Sequence, residues 1–117
     1  MSGKKSRTKG HSFERFIANE LKDIFPNAKR QLEYQIDSCK GVDLSDTGEF
    51  RIQCKKHKSY ASISAINEIK CVRTKGEVPL LITAGDYKEP IAAMFLSDLI
   101  LLLKKIKDKA EPPTEPW

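Results

Sequence analysis

The stretch Phe50-Arg51-Ile52-Gln53-Cys54-Lys55-Lys56 alternates apolar and polar side chains. A strand, with its period of two, places Phe50, Ile52 and Cys54 on one face and Arg51, Gln53 and Lys55 on the other. Just upstream, Gly41-Val42-Asp43-Leu44 predicts a short strand over 41–45 in which Val42 and Leu44 oppose Asp43. Asp46-Thr47-Gly48-Glu49 supplies the turn between the two. Laid side by side, these strands pack their apolar faces and bring the polar side chains of Asp43, Gln53 and Lys55 together.

Outward from that pair, Phe13, Phe16, Ile17, Leu21, Ile24 and Phe25 recur at helical spacing, predicting a helix from a Ser12 cap to Pro26. Residues 28–36 predict a first strand. Ile66, Ile69 and Val72 suggest a second helix capped by Ser62 or Ser64. Pro79 to Ala84 predicts a central strand buried on both faces, and Pro90 to Phe95 a neighbour across the Gly85-Asp86 turn. A last helix is expected from Ser97 to about Lys107. The order α-β-β-β-α-β-β-α defines an α/β fold: a mixed sheet flanked by helices.

The 117 residues suit one domain, whose folding removes roughly two thirds of the unfolded surface from water. Residues 10–109 are expected to form it, after a flexible basic arm over 1–9 and before a disordered tail over 110–117. A hydrophobic fraction of 39% and a charged fraction of 32% are those of a globular chain. No apolar run approaches the ~18 residues of a membrane span. Twenty-one basic against sixteen acidic residues leave a net charge of +5, and Lys4, Lys5, Arg7 and Lys9 concentrate cations at the start. Such an arm attracts polyanions, and if it meets DNA its removal lowers the logarithmic salt slope by about 3 to 4. Three cysteines and no signal peptide point to free thiols and an intracellular, DNA-associated location, with host and phage origin both open.

The convergence of Asp43, Gln53 and Lys55, with Glu14 on the first helix, suits metal-assisted phosphodiester cleavage. A divalent metal lowers the pKa of bound water and neutralises the phosphoryl oxygens and the leaving group. Hard cations such as Mg2+ require oxygen ligands. Asp43 is the expected principal ligand, with the Gln53 side-chain oxygen and the Cys54 backbone carbonyl completing the inner shell. Glu14 would hold a second metal or the metal's waters. Lys55, two residues from Gln53, would orient the hydroxide or neutralise transition-state charge.

Gly10-His11-Ser12-Phe13-Glu14-Arg15, Arg30, Gly41-Val42-Asp43 and the lysine of Gln53-Cys54-Lys55 resemble the archaeal-type and phage Holliday-junction resolvases of the PD-(D/E)XK nuclease superfamily. The resemblance covers about residues 9–72. It implies a restriction-endonuclease-like α-β-β-β-α-β core and a homodimer that uses Mg2+, or Mn2+ in its place, to cut two opposed strands of a four-way DNA junction. By matching positions Glu14, Asp43, Gln53 and Lys55 take the catalytic roles, and Arg15 and Arg30 contact DNA or support the site. The chain departs from the family's pattern in two places: Val42 replaces the proline before the aspartate, and Gln53 replaces a glutamate. An amide oxygen still ligates a hard metal but brings no charge, so metal binding is expected to weaken unless another acid compensates, for which Asp37 and Glu33 are the candidates.

Lys56 and Lys58 extend the basic surface beyond the site and are expected to meet phosphates. Cys39, Cys54, His57 and Cys71 could suggest zinc, but they stand singly and Cys54 falls on an apolar strand face, so buried thiols are expected. His11 and His57 are expected as surface or phosphate-contacting residues. Leu99-Ile100-Leu101-Leu102-Leu103 is apolar around most of a helix: Leu96, Leu99, Ile100 and Leu103 can serve the core, leaving Leu101 or Leu102 for a twofold partner. Two alternatives to the resolvase stay open: another nuclease of the superfamily acting on branched or duplex DNA, and a catalytically silent DNA-binding module.

Overall fold

The alternating stretch forms β3 (Phe50–Lys56), which pairs in parallel with β4 (Val78–Ala84) in the register Gln53↔Leu81 and Lys55↔Thr83. β4 pairs antiparallel with β5 (Ile91–Ala93), so the mixed sheet has the order β3-β4-β5. A separate antiparallel pair joins β1 (Lys29–Arg30) to β2 (Leu44–Ser45). Two helices, α1 (Ser2–Glu20) and α2 (Leu96–Ala110), flank this α/β arrangement. The computed structural model describes residues 2–31 and 41–110.

The faces of β3 and β4 carry two apolar layers. On one, Phe13, Ile17 and Ala18 of α1 pack against Leu44, Ile52, Cys54, Ile82 and Ala84. On the other, Val42, Ala65, Ile66 and Ile69 cover Leu81. Strand alternation sends Ile52 and Cys54 to the first layer and Gln53 to the second. Leu81 through Ala84 are all buried, as a central strand covered on both faces requires.

Several boundaries differ from expectation. α1 begins at Ser2 instead of at a Ser12 cap, so the backbone of residues 2–9 forms its first turns. Lysine and arginine are good helix formers and no proline interrupts residues 2–20, which lets the helix extend backward. The side chains of Lys4, Lys5, Arg7 and Lys9 lie outside the described structure. The helix also ends early, at Glu20, and Leu21–Phe25 continue as turns before Pro26. Ile24 consequently stays exposed, at 69%, and Phe16, within the helix, is 48% exposed beside the core stripe.

The expected second helix is a 3-10 turn at Ile63–Glu68, capped by the Ser62 hydroxyl, and a shorter one at Arg73–Lys75. Ile63, Ile66, Ile69 and Val72 are spaced strictly by three, the repeat of a 3-10 helix. Only Ile66 and Ile69 of that series reach the core.

α2 departs furthest. Leu96, Leu99, Ile100 and Leu103, expected to serve the core, are all exposed, and among the described apolar side chains of α2 only Leu102 is half-buried. What holds its start is polar. Asp98, buried in the first turn, accepts from Arg73 Nη2 at 2.7 Å, and the Arg73 guanidinium lies 5.5 Å from the Phe95 ring centre. Among the described residues no helix is long and apolar enough to cross a membrane.

Asp43 is the seam between the two sheets. Its carbonyl accepts from Gln31 N–H and its own N–H donates to the Ile52 carbonyl, both at 2.8 Å. Gly41, two residues earlier, has φ of +80°, and a Cβ there would collide with the Glu68 carbonyl. Glycine thus lets the loop entering Asp43 press against the end of the 3-10 turn.

Candidate active site

The Asp43 side chain reaches along the open edge of β3, where its Oδ2 accepts from the Cys54 N–H at 2.8 Å. Within a strand, the N–H and C=O of one residue project to the same edge, so the Cys54 carbonyl also faces Asp43. Burial raises the Asp43 carboxyl above its usual range. The Cys54 N–H, Lys55 and Arg30 pull it back, and Glu68 adds to the rise.

Glu14 enters from α1. Its Oε1 accepts from Arg30 Nε at 3.0 Å, while Arg30 Nη2 sits 2.9 Å from His11 Nε2. His11 and Glu14, three apart on one helix face, thus grip the same guanidinium. Loss of solvation, followed by the nearby charge of Asp43, lifts Glu14 to about 7 against the opposing pull of Arg30. Both carboxyls are raised, Glu14 partly by the charge of Asp43 and Asp43 partly by that of Glu68, and a divalent cation would offset that negative charge.

Gln53 corrects one expectation. Its face of β3 is polar by residue type but is roofed by the 3-10 turn, and the side chain is only 4% exposed. Its Nε2 donates to Glu68 Oε1 at 3.3 Å, and its Oε1 is buried with no hydrogen-bond partner. A buried amide oxygen left without a donor is costly in an apolar setting and is a ready ligand for a hard cation. Lys55 Nζ lies 3.4 Å from the same Glu68 oxygen. Asp43, Gln53, Lys55 and Glu14 are therefore brought to one locality, with Arg30 as its support.

Glu68 is the residue that sequence reasoning missed. Asp37 and Glu33, the acids expected to compensate for Gln53, lie outside the described residues, whereas Glu68 reaches Gln53 and Lys55 directly. In a helical reading it is one more solvated acid. Its only signal is the triplet spacing of Ile66 and Ile69, which turns both isoleucines inward and leaves Asn67 and Glu68 facing out.

Other expected residues fall elsewhere. Arg15 is exposed and lines a shallow basic groove with Lys22, Lys29 and Arg30. Lys56 turns to the α1 side, its ammonium 5.9 Å from the Phe13 ring centre. Lys58 is exposed, and its carbonyl accepts from Asp86 N–H. The Cys54 thiol is buried in the α1 layer, where loss of solvation pushes it far above its ordinary range. Cys71 is half-buried and Cys39 lies outside the described residues.

Among the described residues no three His, Cys, Asp or Glu side chains gather as a metal cluster. The oxygen donors in this locality are the Asp43 and Glu14 carboxylates, the orphaned Gln53 amide oxygen and the Cys54 carbonyl, types that suit a hard divalent ion better than zinc. No protein-family model, curated protein or solved structure matches the chain.

Proposed function

We propose that this chain is a metal-dependent endodeoxyribonuclease with a restriction-endonuclease-like core, acting as a homodimer that resolves four-way DNA junctions. The observation that carries the proposal is the convergence of Glu14, Asp43 and Lys55 on the edge of β3 beside the partnerless Gln53 oxygen. Asp43, Gln53 Oε1 and the Cys54 carbonyl would hold Mg2+ or Mn2+, and Glu14 would hold a second metal or the metal's waters. When bound, the cation supplies an acidic water and neutralises phosphoryl charge.

The chain's own groups account for the remaining work. The Cys54 N–H fixes one Asp43 oxygen, which sets the carboxylate's orientation before substrate arrives. Arg30, clamped by His11, holds Glu14 in place. Lys55, now drawn toward Glu68, offers its ammonium to the charge that develops on the phosphate. Arg15 and Lys29 in their groove present cations for the DNA backbone. The exposed apolar face of α2 is the surface on which two copies would meet, giving the paired active sites that a symmetric junction requires.

A second reading is supported by Gln53 itself. An amide in place of a carboxylate lowers the negative charge available to a cation, as in a module that binds DNA without cutting it. Incubation of the protein with labelled four-way junction, flap and linear duplex, with and without Mg2+, separates these readings. Symmetric incision of the junction is expected. Preference for flap or duplex moves the assignment to another branch of the superfamily, and binding without products selects the silent module.

A further inference from the structure

The β4–β5 connection carries an aromatic side chain that the proposed cleavage site does not use. Gly85-Asp86-Tyr87-Lys88 is a turn closed by the Lys88 N–H on the Gly85 carbonyl at 3.2 Å. Tyr87 has φ of +58°, a left-handed conformation that a bulky residue rarely adopts, and its ring is fully exposed. The turn is held firmly. Asp86 N–H donates to the Lys58 carbonyl, Tyr60 Oη donates to the Glu89 carbonyl at 2.7 Å, and a Cβ on Gly85 would stand 3.0 Å from Ser59 Cα. A rigid support thus projects a large, fully exposed ring into water, with no burial among the described residues to compensate for the backbone conformation.

Tyr87 borders an open cleft of about 770 Å3 whose other walls include Phe13, the half-exposed Phe16, Lys56 and Lys88. The cleft lies at the carboxyl ends of the parallel strands β3 and β4, where open α/β sheets bind ligands. Phe13 and Lys56 are the chain neighbours of Glu14 and Lys55, so cleft and cleavage site share two segments. Two lysines against one acid, Asp86, make the lining cationic, and the exposed rings offer flat π faces. An apolar peptide would use the rings and leave the lysines idle. A nucleotide uses both, and its size suits the volume.

We propose that this cleft receives an unpaired nucleotide of the DNA substrate, its base against Tyr87 and Phe16 and its phosphates against Lys56 and Lys88. The proposal rests on the nuclease reading in taking DNA as the ligand, and it makes unpaired bases near the scissile phosphate part of what is recognised. The test is fluorescence anisotropy of the full chain in EDTA, with a labelled duplex carrying a short single-stranded thymine gap and a fully paired duplex of equal length. Wild type binds the gapped DNA more tightly. Tyr87→Ala and Phe16→Ala each weaken that binding by roughly tenfold and leave the paired duplex unchanged, the scale of one base–aromatic stack. Tyr87→Gly relieves the left-handed backbone, so its Tm is equal to or above that of wild type while its binding falls as in Tyr87→Ala. No preference for the gapped DNA, or wild-type affinity in both ring variants, overturns the proposal. Ring-dependent binding without Mg2+-dependent cleavage supports the cleft and sinks the nuclease reading. Cleavage together with ring-independent binding does the reverse.

Discussion

Glu68 Oε1 lies 3.3 Å from Gln53 Nε2, so a neutral amide and an acid occupy adjacent positions beside Asp43. The contact depends on Gln53 being an amide. In Gln53→Glu a carboxylate would face Glu68 at the same spacing in a buried position, and like charges there disfavour each other. The metal-free variant is expected to lose about 1–3 kcal/mol of stability, the cost of a buried polar group deprived of its partner. Added Mg2+ should restore much of that loss and raise Tm more in the variant than in wild type, with faster cleavage at low Mg2+. Thermal denaturation across a magnesium titration checks this, and equal metal-induced shifts in both proteins would remove Gln53 from the ligand set.

Asp43 has a structural contact with the Cys54 N–H and, in the proposed nuclease, a chemical role, and two substitutions separate them. Asp43→Asn keeps an oxygen for the Cys54 N–H and removes a buried charge whose carboxyl is already raised. It is expected to fold with stability equal to or above that of wild type while losing cleavage. Asp43→Ala leaves the Cys54 N–H without its acceptor and should cost about 1–3 kcal/mol as well as activity. Urea denaturation with a junction-cleavage assay distinguishes the pair. An Asn variant that cuts at the wild-type rate would take Asp43 out of the chemistry.

The part of this site legible in the sequence is the part set by backbone geometry. Six alternating residues at 50–55 have one arrangement that buries Ile52 and Cys54, and it necessarily sends Gln53 and Lys55 the other way. The apolar run ending in Ala84 could only be a buried central strand. What stayed hidden depends on tertiary cover. Gln53 is polar by type yet buried, because Ile66 and Ile69 roof its face from a segment distant in sequence. Glu68 was hidden for the same reason, since its importance comes from the close approach of Gly41 to its backbone. The exposure of α2 was likewise illegible: a run of leucines reads as core until the ion pair of exposed Arg73 with buried Asp98 shows the helix held by polar contacts at its start.

Glu14 makes the metal-free protein pH-dependent. Its carboxyl binds a proton more tightly folded, at about 7, than at the ordinary value of 4.5. Between those values the native state holds more protons than the unfolded chain, so stability falls as pH rises through the window and levels off above it. The scale is up to about 3 kcal/mol, reduced by whatever water reaches the site. Asp43, raised in the same direction, adds a further fall on the acid side. Glu14→Gln, which still offers an oxygen to Arg30, should flatten the profile near neutrality and be more stable than wild type at pH 8. Because a bound cation displaces this proton, Mg2+ affinity should climb up to about pH 7 and then level. Calorimetric titration of both proteins from pH 5 to 8 checks each half, and parallel stability profiles would exclude Glu14 as their source.

On α2, Leu96, Leu99, Leu103 and Ile106 follow one another at intervals of three, four and three, the seam spacing of paired helices. They are 68%, 38%, 53% and 60% exposed, so each can be replaced without opening a cavity in the core. Leu103→Asp would place a charge in the middle of the seam between two copies, where desolvation has no compensating partner. Sedimentation velocity should show wild type as a dimer and Leu103→Asp as a monomer, with the variant's Tm no longer rising with protein concentration. The monomer retains Glu14, Asp43 and Lys55 in one chain, so it should still nick a junction, but the two opposed cuts would become independent events. In a supercoiled cruciform assay that change appears as nicked circles accumulating ahead of linear product. Linear product formed directly by a proven monomer would place the interface elsewhere.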